Sequence, residues 1–279
     1  MIFDDTVCLL GEGPLWHPER EELFWFDILA RRLHRKGQHW QFDECVSAAG
    51  WVDAETLLVA SESALMRFDI KTGGTETVAP LEADNPVTRS NDGRADPQGG
   101  FWIGTMGKNA EAGAGSIWRY YKGDLRRIVP DISISNSICF APDGRTAYYT
   151  DSGAQKIMRV ALDGDGWPSG AASVHVDLSD TDLIPDGSVV DTGGTLWNAQ
   201  WGAGRVAGYD ASGQEVASYA FPAPQTTCSA FGGPGLSTLF CTSAAAGLSQ
   251  TDLAAAPASG QTFALETDHT GQAEHRVLL

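Results

Sequence analysis

Residues 184–197 read IPDGSVVDTGGTLW, which is a short apolar strand, a glycine-containing turn and the start of a second strand. Apolar and aromatic residues on either side of an Asp-Thr-Gly-Gly turn are typical of a β-hairpin. The same outline recurs along the chain, and a hairpin of this kind therefore indicates one unit of a repeated β structure.

The second strand of this hairpin has five counterparts, each entered through a turn that contains Gly, Pro or Asp. The central residues of all six copies lie 33 to 48 positions apart and are Trp25, Leu58, Trp102, Tyr149, Trp197 and Phe240. Most copies are followed by another hairpin, and no long stretch shows the 3.6-residue period of a helix. Six units of about 40–48 residues, each with about four strands, predict an all-β, six-bladed β-propeller with four-stranded antiparallel blades.

The ring of blades must be closed, because one blade cannot bury its own faces. The first unit begins near Gly11, which leaves residues 2–10 in front of it, and residues 275–279 form a strand-like tail. We expect these two ends to meet in one shared blade, so that N- and C-terminal strands close the propeller. No linker-like stretch interrupts the repeat, and residues 1–279 are therefore predicted to form a single domain.

The composition disfavours several classes of partner. A net charge of -17 leaves no surface that could neutralise a row of phosphates, so neither nucleic acid nor an anionic membrane is expected. No apolar run approaches the ~20 residues that span a bilayer, and the first residues lack the features of a signal peptide. Five cysteines without a C-x-x-C pair predict free thiols in the cytoplasm. A monomer is the simplest expectation for the oligomeric state.

Polar residues recur at the start of the predicted inner strands. The first strand of each propeller blade lines the central channel, so its first residues face their counterparts at one mouth. Counting back five residues from the turn of each unit gives a ring of six residues: Glu12, Ala48, Asn91, Asn136, Asp186 and Cys228. Carboxylate and carboxamide oxygens without imidazole are typical ligands of a hard divalent cation. The alternative, that such residues only satisfy backbone groups in turns, explains one residue better than four.

A cation at this ring would favour hydrolysis of an ester or a lactone. It polarises a carbonyl oxygen, and a neighbouring carboxylate can accept a proton from attacking water. The chain has no G-x-S-x-G motif, which disfavours a common serine esterase. Arg89 lies two residues before Asn91 and is predicted to donate hydrogen bonds to substrate oxygens. Residues 106–115 are rich in Gly and fit either a lid over the mouth or plain flexible surface.

Several separated motifs carry a family resemblance that covers nearly the whole chain. They are Glu12-Gly13-Pro14-Leu15-Trp16, Arg89-Ser90-Asn91-Asp92-Gly93, Ser135-Asn136, Pro185-Asp186-Gly187 and Phe231-Gly232-Gly233-Pro234. In this order they resemble the regucalcin (senescence marker protein)/gluconolactonase/luciferin-regenerating enzyme family. The resemblance implies a six-bladed propeller with one divalent cation at the channel mouth, and activity as a sugar lactonase. It also implies that Glu12, Asn136 and Asp186 bind the metal, that Asp186 acts as the base or orients the water, and that Arg89 and Asn91 contact the substrate.

The sequence therefore predicts a metal-dependent hydrolase that opens a sugar lactone, of the aldonolactone type, to the sugar acid. Calcium, zinc, manganese, magnesium and iron(II) all suit an oxygen site of this kind. Two alternatives stay open: a non-catalytic calcium-binding regulatory propeller, and a promiscuous ester or phosphotriester hydrolase with the same metal site. The first would bind metal without turnover, and an apolar pocket would favour the second, whereas a pocket ringed by Arg89, Asn91 and other donors favours polyhydroxylated substrates.

Overall fold

Six four-stranded antiparallel sheets account for most of the chain in the computed structural model, which describes every residue from Met1 to Leu279. The innermost strands of neighbouring sheets contact one another in a closed cycle. The predicted all-β, six-bladed propeller is therefore confirmed.

The strands follow the repeat in chain order. Strand β1 spans Ile2–Asp4. The first blade contains β2 (Gly11–His17), β3 (Glu22–Asp27), β4 (Arg32–Arg35) and β5 (Gln38–Gln41). The second contains β6 (Val46–Asp53), β7 (Thr56–Ser61), β8 (Ala64–Asp69) and β9 (Thr75–Pro80). The third contains β10 (Thr88–Ala95), β11 (Phe101–Gly107), β12 (Gly115–Tyr121) and β13 (Asp124–Ile132).

The second half of the chain repeats this plan. The fourth blade contains β14 (Ser135–Phe140), β15 (Thr146–Asp151), β16 (Lys156–Ala161) and β17 (Ser173–Asp177). The fifth contains β18 (Ile184–Val190), β19 (Leu196–Trp201), β20 (Arg205–Tyr209) and β21 (Glu215–Ala220). The sixth contains β22 (Thr226–Gly232), β23 (Thr238–Ser243), β24 (Thr262–Glu266) and β1. Helix α1 (Gln250–Ala255) precedes β24, and no helix has the length and apolar character needed to cross a membrane.

The N-terminal strand closes the ring, as predicted. Strand β1 pairs antiparallel with β24 at the outer edge of the sixth blade. The ring of Phe3 packs edge-on against Phe240 in the sixth blade and Trp25 in the first, with centroid distances of 5.0 and 6.1 Å. The first strand therefore ties the two ends of the propeller together through both backbone pairing and aromatic contact.

The prediction that residues 275–279 form a strand of the same blade is wrong. This tail contains no strand and lies across the opposite mouth of the channel instead. There Arg276 Nε donates to the Val52 carbonyl at 2.6 Å, and the Val277 N–H donates to the Trp51 carbonyl at 2.9 Å. Just before the tail, Gln272 Nε2 donates to the carbonyl oxygens of Phe140 and Val190, at 2.9 Å each, and Glu274 forms a partly buried ion pair with Arg94. The ends of several inner strands satisfy the polar groups of the tail, so it needs no sheet partner.

Apolar side chains fill the spaces between neighbouring blades. Each large cluster of buried hydrophobic residues draws its members from two adjacent sheets. Trp25, Trp102 and Trp197, which mark the centre of three repeats, are fully buried. Since the blades are stabilised by packing between their faces, the first residues of the inner strands are free to carry polar groups.

The contacts of Phe3 predict its contribution to ring closure. Phe3→Ala removes a partly buried aromatic ring from both end blades and should lower the free energy of unfolding in urea by about 2 kcal/mol. Ile2→Ala is the matched control, because this neighbouring side chain is 48% exposed and should change stability by less than about 0.5 kcal/mol. Equal losses in the two variants would contradict a closing role for Phe3.

Candidate active site

A cavity of about 260 Å³ opens at the channel mouth where the inner strands begin. Its lining includes all five side chains that the sequence singled out for function: Glu12, Arg89, Asn91, Asn136 and Asp186. The other two members of the predicted ring, Ala48 and Cys228, are buried beside the cavity without lining it. The structure thus brings the candidate residues together, and their individual roles stay predictions.

The site residues lie where the inner strands are irregular. An extra residue disturbs the strand pairing directly after Glu12 and Asn136, and at Asn91 and Asp186 themselves. A β-bulge bends the strand and re-aims its side chains. These four side chains therefore face the channel axis, whereas later residues of the same strands pack between blades.

A glycine follows each of the two carboxylates because neighbouring inner strands approach closely there. A Cβ atom at Gly187, after Asp186, would overlap Cys228 Sγ on the next blade. A Cβ atom at Gly13, after Glu12, would overlap the Ser47 carbonyl, and Gly13 also has a φ of 51°, a region that favours glycine. The Glu-Gly and Asp-Gly pairs thus bring both carboxylates close to the channel axis.

A chain of hydrogen bonds orients both carboxamides. Arg89 Nη1 donates to Asn91 Oδ1 at 2.7 Å, and Asn91 Nδ2 donates to Asn136 Oδ1 at 3.1 Å. Asn136 Nδ2 then donates to Ser152 Oγ at 2.9 Å, and Ser152 Oγ donates to the Pro185 carbonyl at 2.6 Å. Because a guanidinium can only donate, the oxygen of Asn91 must face Arg89, and the orientation of each later group follows.

The sequence pattern did not single out Ser152, although it lines the cavity. It occupies the short 3-10 turn Ser152–Ala154, directly after the second strand of the fourth blade. Its role depends on two partners, Asn136 and Pro185, that lie in two different inner strands. No local motif marks such a position.

The apolar wall of the cavity was also missed, although an offset in the sequence could have found part of it. Five side chains form this wall: Leu10, Met106, Ile134, Ile184 and Trp201. Three of them lie two residues before a ring residue, as Leu10 does before Glu12. Arg89 holds the same offset before Asn91, and it is therefore the one charged member of an otherwise apolar outer layer.

Burial disfavours the charged forms of the two carboxylates, Glu12 and Asp186, when no cation is bound. Glu12 and Asp186 are only 3% and 5% exposed. Burial, reinforced by the nearby Asp92 carboxylate, raises the pKa of Glu12 to about 8. Burial, and then the charge of Glu12, raises the pKa of Asp186 well above its ordinary value. Asp186 Oδ1 is buried without a hydrogen-bond partner, so this oxygen lacks a compensating positive group.

The donor set fits a hard divalent cation. Asp186 Oδ1, the Glu12 carboxylate and Asn136 Oδ1 supply oxygen atoms at one cavity, and hard cations bind oxygen ligands while retaining water at other positions. No group of three His, Cys, Asp or Glu side chains is arranged so that it could hold a metal ion, and no imidazole or thiolate lines the cavity, so the site is unlike a centre built from those ligands. A cation would also balance the buried negative charge.

Comparison with known proteins covers the whole propeller. The family model described as SMP-30/Gluconolactonase/LRE-like region matches residues 10–245. A putative sugar lactone lactonase of Rhizobium meliloti is 39% identical over 97% of this chain and 94% of its own. The L-arabinolactonase of Azospirillum brasilense is 37% identical over 99% and 94%. The crystal structure of regucalcin, a calcium-binding protein from Agrobacterium tumefaciens, has a TM-score of 0.97 and 42% identity and covers 100% and 97%. The matched region includes every residue that lines the cavity.

The raised pKa values predict how the metal-free protein responds to pH. The folded state holds protons on Glu12 and Asp186 that the unfolded chain releases, so this contribution to stability is lost as pH rises through about 8, the pKa of folded Glu12. With chelator present, the free energy of unfolding should fall as pH rises from 7 toward about 8 by up to ~1.4 kcal/mol per pH unit for Glu12, and Asp186 adds a fall in the same direction.

Unfolding in urea at several pH values above 7 measures this dependence. Glu12→Gln removes one of the two groups and should flatten the slope. A slope that is the same in Glu12→Gln as in the parent protein would contradict the interpretation.

Proposed function

Since the chain belongs to the SMP-30/gluconolactonase/LRE-like family, we propose that it is a lactone-hydrolysing enzyme that opens an aldonolactone to its sugar acid. The observation that carries this proposal is the buried, unpartnered Asp186 Oδ1 at a cavity that also holds Glu12 and Asn136. The hydroxyl of Ser152, the one hydroxyl among the lining side chains, donates its proton to a backbone carbonyl. Water is therefore the nucleophile that the cavity can best activate.

Glu12, Asn136 and Asp186 are the residues that would hold one divalent cation. A cation bound there supplies Lewis acidity to the lactone carbonyl. The structurally similar regucalcin is described as a calcium-binding protein, which supports a divalent cation at this site. The fixed carboxamide of Asn136 and the three bulged strands that carry the ligands give them a preset arrangement, so binding requires little reorganisation of the chain.

Arg89 and Asn91 orient the substrate. Arg89 Nη1 is engaged by Asn91 and the Ser90 carbonyl, which leaves Nη2 and Nε to donate to hydroxyl or carbonyl oxygens of the sugar ring. Asn91 in turn holds Asn136 in place. This side of the cavity thus offers donors that suit a polyhydroxylated ring.

Asp186 accepts the proton of the attacking water. One O–H bond of the water breaks as its oxygen bonds to the lactone carbonyl carbon, and the proton moves to the Asp186 carboxylate. The bond between this carbon and the ring oxygen then breaks, and Asp186 returns the proton to the departing alkoxide. The product is a carboxylic acid with one new hydroxyl group, and it leaves as a carboxylate at neutral pH.

Asp186→Asn should keep the fold and abolish turnover. The amide cannot accept the proton and is a weaker cation ligand, so kcat should fall by at least ~10³-fold. Proton release from several aldonolactones, with and without chelator, measures the activity, and circular dichroism checks the fold. Asp182→Asn is the matched control, because this exposed aspartate lies four residues earlier on the same segment and should retain full activity.

Two other outcomes would redirect the proposal. Metal binding without turnover of any lactone would favour a non-catalytic calcium-binding propeller. Faster turnover of aryl esters or phosphotriesters than of aldonolactones would favour a promiscuous hydrolase that uses the same residues. Substantial lactonase activity in Asp186→Asn would remove Asp186 from the role of base.

A further inference from the structure

The cavity has two layers of different chemistry. The floor contains the oxygen-bearing side chains of Glu12, Asn91, Asn136 and Asp186. The outer layer, which a substrate passes on entering, consists of Arg89 and five apolar side chains: Leu10, Met106, Ile134, Ile184 and Trp201. A ligand whose reacting carbonyl reaches the floor must therefore place its other end against a mostly apolar wall.

Arg89 is the one cationic side chain of this lining, and it is hydrogen-bonded to Asn91 on the cavity floor. It is 7% exposed, its Nη1 donates to Asn91 Oδ1 and to the Ser90 carbonyl, and it shares the cavity with the carboxylates of Glu12 and Asp186. The five other side chains of the outer layer are apolar and carry no charge that could pair with an acidic substituent.

A cation close to the wall in sequence, Lys108, is paired with a carboxylate. Lys108 follows the wall residue Met106 by two positions, and its backbone N–H donates to the Val87 carbonyl at 2.9 Å. Its ammonium forms an ion pair with Glu62. An anionic group at the outer layer would lose water without gaining a counter-charge, which is strongly unfavourable.

We propose that this cavity selects lactones whose substituents are uncharged and rejects lactones that carry a second acidic group. The accepted class is neutral aldonolactones, and the rejected class includes lactones with a carboxylate, phosphate or sulfonate on the terminal carbon. This inference rests on the proposed lactonase function. In this arrangement the ring hydroxyls would bind the free Nη2 and Nε donors of Arg89, and the terminal carbon would lie against the wall formed by Ile134, Ile184 and Trp201.

A pair of substrates that differ only at the terminal carbon tests the inference. We expect kcat/KM for glucono-1,5-lactone to exceed that for 6-phosphoglucono-1,5-lactone by about 100-fold or more, because the phosphate is desolvated without a partner. L-Arabinono-1,4-lactone extends the comparison to a shorter neutral substrate. Equal kcat/KM for the two gluconolactones would overturn the selectivity while leaving the lactonase function intact. No turnover of any lactone would overturn both.

A charge added to the outer layer tests the location of the selectivity. Ile184→Lys places an ammonium at the cavity wall and should raise the ratio of kcat/KM for the phosphorylated over the neutral lactone by about 10-fold. Val216→Lys adds the same charge to the 57% exposed Val216 on β21 and should leave the ratio unchanged. An unchanged ratio in Ile184→Lys, or an equal rise in both variants, would overturn the assignment to this wall.

The hydrogen-bond chain carries a second, independent inference: Ser152 is a positioning residue for the cation ligands. Its oxygen accepts from Asn136 Nδ2, so Asn136 Oδ1 is directed toward Asn91 and the cavity. Its proton goes to the carbonyl of Pro185, the residue before Asp186. The buried hydroxyl of Ser152 therefore fixes the orientation of the Asn136 amide. It also fixes the spacing between Asn136 and Asp186 on the neighbouring blade.

Ser152→Ala should weaken metal binding by about 10–100-fold, the range for removing a group that orients a ligand. Calorimetric titration of the metal-free protein with calcium and with manganese measures the affinity. Ser61→Ala is the matched control, because Ser61 is equally buried, bonds the Ala64 carbonyl and lies at the end of β7 in the second blade. Both variants should lose stability, and only Ser152→Ala should lose affinity.

Unchanged affinity in Ser152→Ala, or an equal loss in Ser61→Ala, would overturn the positioning role. Absence of metal binding in the parent protein would overturn the role of Ser152 together with the cation site.

Discussion

The apolar faces of a four-stranded blade can be buried only against another blade, and the rest of the structure depends on this constraint. Burial between blades requires a closed ring, and the ring is closed where β1 pairs with β24 and Phe3 contacts both end blades. In a ring of repeated units every inner strand runs in the same direction. All six strands therefore begin at one mouth, so polar residues far apart in the sequence meet around one cavity.

The same packing also buries two carboxylates, and this buried negative charge defines the site. Glu12 and Asp186 are buried beside each other because glycines after them allow the inner strands to approach. Burial disfavours both charges, and a cation would relieve the repulsion. Stability of the metal-free fold and affinity for a cation are thus opposed, as expected where function is built from buried charge.

The two mouths of the channel differ, because one is covered by the chain and the other is open to a cavity. The C-terminal tail covers one mouth, where Glu274 neutralises the partly buried Arg94 and Gln272 bridges two inner strands. The other mouth keeps a cavity with a polar floor and an apolar outer layer. One face of the propeller therefore serves stability, and the other is free to bind a small molecule.

The sequence by itself determined the repeat, the six blades and the five candidate site residues, because turns, strand periodicity and a fixed offset from each turn are local properties. It misplaced the C-terminal tail, whose partners are carbonyl groups at the ends of distant strands. It did not reveal Ser152, which joins Asn136 to Pro185 across two blades, nor the β-bulges that aim the four ring side chains. The orientation of the amides and the composition of the cavity wall depend on how the blades pack against one another, and this packing joins residues that lie in different repeats. Only the tertiary structure could decide them.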